Sequence, residues 1–154
     1  MAVYACIELR ELWPRGSDIR EGLKTWHFIL GLSVFVLVWF RLAAHWRAPL
    51  LSPTPGWTRW PAAVGHAALY GLMIAMPLLG WLTLSAEGDA IPFFGLALPP
   101  RVAPDEGLAD QVQTLHQTLG GVGYWLIGLH AAAALFHHHV LRDASPPRML
   151  PGSR

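Results

Sequence analysis

The sequence predicts an all-α integral membrane protein: a helix bundle with three complete transmembrane helices and the C-terminal stub of a first helix. Two observations predict this fold. Of the 154 residues, 53% are hydrophobic and only 14% are charged, and the mean hydropathy is +0.36, which is too apolar for an ordinary soluble domain. Three apolar runs also reach the length of about 20 residues that a helix needs to cross a bilayer. We expect one membrane domain over residues 1–154.

The elements follow in chain order. MAVYACIEL, residues 1–9, is too short to cross about 30 Å of hydrocarbon. It is either the end of a first helix whose beginning precedes Met1, or a short interfacial start. The predicted topology favours the helix: the next span starts outside, so a complete preceding span would place the N-terminus inside. The three complete spans are expected at about 25–44, 62–84 and 115–141.

The connections are rich in proline. Between the first two spans, four prolines argue against helix, namely Pro49, Pro53, Pro55 and Pro61. The longer connection, AEGDAIPFFGLALPPRVAPDEG, contains two phenylalanines that we expect to cover one end of the protein. Pro77 lies within the middle span, where we expect a kink that neighbouring helices accommodate.

The arginines predict the orientation. The connection from Arg41 to Arg59 carries three arginines and no acid, and the tail after His139 carries three arginines, whereas the connection from Glu87 to Asp110 carries one. By the positive-inside rule, the arginine-rich segments face the cytoplasm. The three spans then run out-to-in, in-to-out and out-to-in, and the C-terminus is cytoplasmic.

Four histidines lie within the predicted spans, at His27, His66, His116 and His130. Polar side chains inside a span usually face the bundle interior, although a single one is more often a packing residue than a ligand. Fourteen residues separate His116 from His130, which puts them on nearly one helix face, about 21 Å apart along the axis. His27 lies at a depth comparable to His116. Two such imidazoles can hold a metal ion or both axial positions of a haem iron.

Glycine spacing favours haem over a bare metal ion. Gly31 follows His27 by four residues, and Gly120 follows His116 by four. Each glycine leaves room for a flat porphyrin beside an imidazole, although small residues are also common at helix contacts in membranes. His66 is the spanning histidine at the depth of His130, and it could ligate, bind a haem propionate or a quinone oxygen, or simply pack.

The remaining histidines are expected at the membrane interface. His137, His138 and His139 form a run, of which His137 continues the His130 face, and an interfacial cluster is favoured over a metal site. His45 precedes Trp46 and Arg47, which is typical of an aromatic and basic belt. By position, propionates would meet Arg20 and Lys24 outside, and Arg41, Arg59 or Arg142 inside.

These motifs together resemble the bacterial cytochrome b561 family, relatives of the cytochrome b subunit of nickel-iron hydrogenases. The matching segments are WHFILGLSVFVLVWFRL, GHAALYGLMIAMPLLGW, LHQTLGGVGYWLIGLHAAAALFHHHVLRD and RMLP. The resemblance implies a four-helix bundle in the bacterial inner membrane with two b-type haems, one near each face. It implies that His27 and His116 ligate the outer haem iron, and that His130 ligates the inner one together with a histidine of the first helix.

The stub of the first helix carries no histidine. We therefore expect either that the true start lies upstream, or that this chain holds one haem unless His66 substitutes as the inner ligand. The resemblance implies electron transfer between a periplasmic redox partner and ubiquinone or a similar quinone. We expect membrane lipid to surround the protein, and we expect no nucleic-acid partner.

Two other functions remain open. One is a haem-bearing membrane anchor subunit of a dehydrogenase or hydrogenase. The other is a His-rich metal transporter, which acidic residues within the spans would favour, and the predicted spans contain none. No nucleophile with a base, phosphate loop or carboxylate pair is evident, so hydrolytic catalysis is unsupported. Whether the chain is an enzyme stays open.

Overall fold

The computed structural model describes residues 1–47 and 56–139, without the side chains of residues 56–59, 137 and 138. In that part of the chain the elements are α1 (Ala2–Arg10), α2 (Asp18–Arg47), α3 (Gly56–Glu87), β1 (Ile91–Phe93), β2 (Leu96–Leu98) and α4 (Glu106–His139). Three helical segments are long and apolar enough to cross a membrane, at Asp18–Arg47, Trp60–Glu87 and Glu106–Phe136. The predicted all-α membrane fold is confirmed.

The helices extend beyond the apolar runs that predicted them. The helix expected from 115 begins at Glu106, because Asp105 caps it: its Oδ1 accepts a 2.9 Å hydrogen bond from the Leu108 amide. The helix expected from 25 begins at Asp18, where the Ser17 carbonyl accepts the Glu21 amide at 3.1 Å. Apolar sequence marks the part of a helix that meets lipid, and polar turns continue it.

Pro61 does not exclude helix as predicted, since it lies inside α3, five residues after its first residue. A proline this close to the start of a helix removes one backbone hydrogen bond and leaves the following turns intact. Pro77 also lies inside α3. Pro49, Pro53 and Pro55, the side chains of Arg59, His137 and His138, and the tail with Arg142 and RMLP lie outside the described residues.

The helices do not all touch one another. Helix α2 packs against α1 and α3, and α4 packs against α3. Across the described residues, no Cα atom of α2 or α1 comes within 8 Å of a Cα atom of α4. A backbone gap therefore separates α2 from α4, and side chains alone can bridge it.

A buried arginine holds α1 to the start of α2. Arg20 is 8% exposed, and its Nη1 donates to the carbonyls of Arg10 at 2.9 Å and Trp13 at 3.0 Å. Its Nη2 donates to Glu11 Oε1 at 2.9 Å. These bonds satisfy carbonyls that the end of α1 leaves without helical partners. The predicted stub is thus a short helix that folds back on α2.

The long connection forms a two-stranded antiparallel hairpin, in which Ile91 pairs with Leu98. Phe94 and Gly95 have φ values of 48° and 82°, as a tight turn with two left-handed residues requires. Ile91 is 1% exposed and packs with Leu32 and Leu84. The hairpin therefore packs on the side of α2 and near the C-terminal end of α3, and we call the end of the bundle at which α3 ends the hairpin end.

Candidate functional site

Two histidines on different helices face each other near the hairpin end. The rings of His27 on α2 and His116 on α4 have centres 6.3 Å apart and an interplanar angle of 66°. His27 lies nine residues, about 14 Å, into α2, and His116 lies ten residues, about 15 Å, into α4. The structure brings together the pair that the sequence placed at matching depth.

The backbone of α1 orients one of these imidazoles. Nδ1 of His27 lies 2.9 Å from the carbonyl oxygen of Val3, so in the matching tautomer Nδ1 donates its proton to that oxygen. Nε2 is then the ring nitrogen with a lone pair for a ligand bond. A hydrogen bond from the distal ring nitrogen to a carbonyl is the usual way in which a metal-bound histidine is oriented.

The other imidazole rests against α3. A Cβ built on Gly80 would lie 3.5 Å from Cε1 and 3.8 Å from Nδ1 of His116. Nδ1 of His116 is buried and has no hydrogen-bond partner among the described residues, although the backbone of Met76 lies near the ring. The Nδ1 edge of His116 thus faces α3, which leaves its Nε2 as the nitrogen available to a ligand on the other side.

The space around this pair fits a flat ligand. The backbones of α2 and α4 stay apart, and a Cβ on Gly31 would meet nothing within 4 Å. A Cβ on Gly120 would lie 3.7 Å from Cε of Met76, so the clearance expected from the sequence is present at Gly31 and is taken by Met76 at Gly120. A metal–nitrogen bond of about 2 Å, with the ring centre about 1 Å beyond the nitrogen, puts two trans imidazoles about 6 Å apart. The observed 6.3 Å agrees with one metal centre between the rings. His27 and His116 therefore fit a haem iron.

A second pair lies toward the other end of the bundle. The rings of His66 on α3 and His130 on α4 have centres 5.6 Å apart. This is shorter than in the first pair, both side chains are exposed, and α3 and α4 pack directly against each other. The structure therefore juxtaposes all four predicted histidines as two pairs. The porphyrin fit rests on His27 and His116.

The cations expected near propionates make contacts with other parts of the protein. The Arg20 guanidinium donates hydrogen bonds to the carbonyls of Arg10 and Trp13 and to the Glu11 carboxylate. Nζ of Lys24 lies 5.8 Å from the centre of the Phe28 ring. Toward the other end, Nε of Arg41 donates to the Tyr70 hydroxyl at 3.1 Å. Among the described residues, no three His, Cys, Asp or Glu side chains group closely enough to hold a bare metal ion.

The profile of the family described as prokaryotic cytochrome b561 matches residues 3–152. The chain belongs to this family. Cytochrome b561 homolog 1 of Escherichia coli K12 is 34% identical over 151 residues, which cover 96% of this chain and 86% of that protein. The probable superoxide oxidase CybB of Yersinia pestis is 36% identical over 158 residues, covering 98% and 86%.

A third cytochrome b561, homolog 2 of Escherichia coli K12, is 34% identical over 128 residues, covering 82% of this chain and 68% of that protein. Membership of the cytochrome b561 family implies a b-type haem and a bacterial membrane. The matched region includes both histidine pairs, so the geometry and the family point to the same cofactor.

Sequence reasoning missed two parts of the site. It did not foresee that Val3, in the short α1, supplies the carbonyl that orients His27, because a backbone atom leaves no trace in the side-chain pattern. It also did not assign Gly80 to His116. The motif PLLG was recognised in the sequence as part of the middle helix. Which side chain its glycine contacts depends on how α3 and α4 are rotated relative to each other.

Proposed function

We propose that this cytochrome b561 is an electron carrier whose haem near the hairpin end is ligated by His27 and His116. The observation that supports it most directly is the pair of imidazoles 6.3 Å apart across helices that do not touch. When bound between two imidazoles, haem iron exchanges single electrons and has no open position for a further ligand. The protein holds this group in place and determines its surroundings.

The chain's own residues position the ligands and form their surroundings. The Val3 carbonyl fixes the tautomer and ring plane of His27, and Gly80 lets α3 approach the His116 ring closely. The hairpin packs apolar side chains on α2 and α3 at this end of the bundle. Apolar surroundings strengthen electrostatic interactions, so these elements tune the reduction potential of the bound group.

For the direction of transfer, we propose exchange between a redox partner on the periplasmic side and ubiquinone or a similar quinone, with the C-terminus in the cytoplasm. His66 and His130 lie toward the end opposite the hairpin, and we propose that they serve the inner cofactor or the quinone. A copurifying dehydrogenase or hydrogenase subunit would instead favour the membrane-anchor function.

A specific reductant is suggested by one relative. The Yersinia pestis protein, 36% identical over nearly the whole chain, is named a probable superoxide oxidase. We propose superoxide as a donor for this chain as well. Two superoxide anions would each lose one electron to give two molecules of O2, and a quinone would take up the two electrons with two protons to give a quinol.

The test is spectroscopic. Purified full-length protein should show the reduced-minus-oxidised spectrum of a b-type cytochrome, and both His27→Ala and His116→Ala should lose the signal of the haem near the hairpin end. His45→Ala, a histidine on α2 outside both pairs, is the control and should keep it. Unchanged haem content in both His27→Ala and His116→Ala would contradict the ligand assignment. Addition of superoxide should reduce the oxidised wild type, and no reduction would remove that donor.

A further inference from the structure

Arg10, the last residue of α1, has a buried guanidinium nitrogen without a hydrogen bond. Its Nε has no hydrogen-bond partner among the described residues, and its ion pair with Glu11 spans 3.4 Å. Glu11 is 64% exposed and also accepts the 2.9 Å bond from Arg20. One carboxylate is thus shared by two arginines. Positive charge at this point exceeds what the neighbouring side chains neutralise.

Arg10 lies on the same face of α1 as the residue that orients His27. Arg10 follows Val3 by seven residues in one helix, so the two lie on the same face of α1. Val3 contacts His27 through its carbonyl. Side chains lean toward the N-terminus of their helix, which for Arg10 means toward Val3.

Two other arginines at this end are placed less suitably. Arg20 makes three hydrogen bonds that hold the α1–α2 connection together, and it cannot leave them without losing the donor to the Trp13 carbonyl. Arg15 is exposed in that connection. Arg10 therefore lies on the face of α1 that contacts the site, and its Nε is a hydrogen-bond donor without an acceptor among the described residues.

We propose that Arg10 binds a carboxylate of the cofactor held by His27 and His116, namely a haem propionate. This inference rests on the proposed function, and it assigns to Arg10 the role that position in the sequence suggested for Arg20. A guanidinium donates to a carboxylate with a geometry that lysine cannot reproduce. A soluble anion such as superoxide would bring the same negative charge to the imidazoles, and the experiment distinguishes such an anion from a haem propionate.

The experiment titrates the full-length apoprotein in detergent with haem b and, separately, with haem b whose two propionates are methyl esters. With haem b, Arg10→Gln should bind roughly tenfold more weakly than wild type, because a charge-assisted hydrogen bond is lost. Its midpoint potential should fall, since removal of a cation favours the oxidised iron. With the diester, wild type and Arg10→Gln should bind equally. Arg15→Gln is the matched control and should behave as wild type throughout.

Each contrary outcome has a distinct meaning. If Arg10→Gln matches wild type with haem b in both affinity and potential, the inference is wrong. If it is weaker by the same factor with the diester, Arg10 does not bind a propionate, and the inference is equally wrong. If Arg10→Gln fails to fold, Arg10→Lys retains the charge and should give an intermediate affinity; affinity equal to wild type with both haems would exclude a specific guanidinium contact. Failure of wild type to bind haem b would instead refute the proposed function itself.

Discussion

Tyr124 of α4 donates a 2.5 Å hydrogen bond to Oε1 of Glu8 in α1, across helices whose Cα atoms remain more than 8 Å apart. The Tyr124 ring also lies 4.3 Å, centre to centre, from the ring of Tyr4. The Tyr4 hydroxyl donates to the Gly120 carbonyl at 3.1 Å. Among the described residues, side chains such as these connect α1 to α4, and they do so next to the histidine pair.

The bond between Tyr124 and Glu8 should contribute measurably to stability. Tyr124→Phe removes the donor to a carboxylate and should lower the free energy of unfolding by about 1 kcal/mol. Glu8→Gln should cost less than Tyr124→Phe, because an amide oxygen still accepts. The measurement is thermal unfolding in detergent followed by circular dichroism. Trp125→Phe, at a neighbouring position that is 78% exposed, is the control, and an equal loss there would show that the hydrogen bond is not the cause.

Gly123 should tolerate no side chain. A Cβ at this position would collide with the Tyr4 hydroxyl and would approach Cδ2 of Leu72 to 2.9 Å. Gly123→Ala should therefore displace α1 and destabilise the protein by about 1 to 3 kcal/mol, as overpacking does. Gly121→Ala, on the same helix, meets nothing within 4 Å and should be neutral or slightly stabilising. Equal melting temperatures for the two variants would refute the close approach of the Tyr4 side chain to the backbone of α4.

Arg20 should be indispensable to the α1–α2 connection. Arg20→Ala removes three hydrogen bonds and leaves the Trp13 carbonyl without its donor, and it should destabilise the protein by about 2 to 3 kcal/mol. Chymotrypsin should then cut more rapidly at Trp13, which lies in that connection. Arg15→Ala removes an exposed arginine of the same segment and should leave both the stability and the cleavage rate unchanged. A wild-type cleavage rate in Arg20→Ala would contradict the proposed role of Arg20.

The hairpin should be anchored through one side chain. Ile91 is 1% exposed between Leu32 and Leu84, so Ile91→Ala should cost about 2 to 4 kcal/mol, the usual effect of an unfilled core. Leu96 lies on the other strand and is 65% exposed. Leu96→Ala should cost less than about 0.5 kcal/mol. Chemical unfolding of both variants measures this difference, and similar losses would mean that the hairpin does not pack on the helices.

Position 80 should accept only a small side chain, because it lies beside His116. A Cβ would make ordinary contact with the ring, so Gly80→Ala should be tolerated, whereas Gly80→Leu should push the imidazole away and reduce haem content. Gly71 lies on the same helix, and a Cβ there meets nothing within 4 Å. Gly71→Leu should therefore retain the wild-type spectrum. Full haem content in Gly80→Leu would contradict the assigned packing of α3 on His116.

The fold and the histidine pairing were largely predictable because both follow from periodic properties of the chain. Apolar runs of about 20 residues predict spans, and helical rise predicts the depth of His27, His116 and His130. The bounds were less accurate. The capping of α4 by Asp105 and the helical continuation through Pro61 depend on local hydrogen bonds and position, to which mean hydropathy is insensitive.

The hydrogen bonds of Arg20 were not predictable from its position. Position alone put this cation at the correct end of the bundle, but the end of α1 exposes carbonyls that compete for the same guanidinium. Which of two nearby arginines satisfies them depends on how α1 folds back on α2. Nothing in the spacing distinguishes Arg10 from Arg20 in this respect, and the contact of Gly80 with His116 depends in the same way on helix rotation.

The gap between α2 and α4 links the amount of folded protein to the supply of its cofactor. A ligand that binds the folded bundle and not the unfolded chain adds to stability in proportion to the logarithm of its concentration. Here that ligand would also take the place of a missing helix contact. A cell that runs short of haem would therefore hold less of this protein, because quality-control proteases remove chains whose interior is incomplete. Biosynthesis of the cofactor would thus set the number of these carriers in the membrane before any regulator acts on the gene.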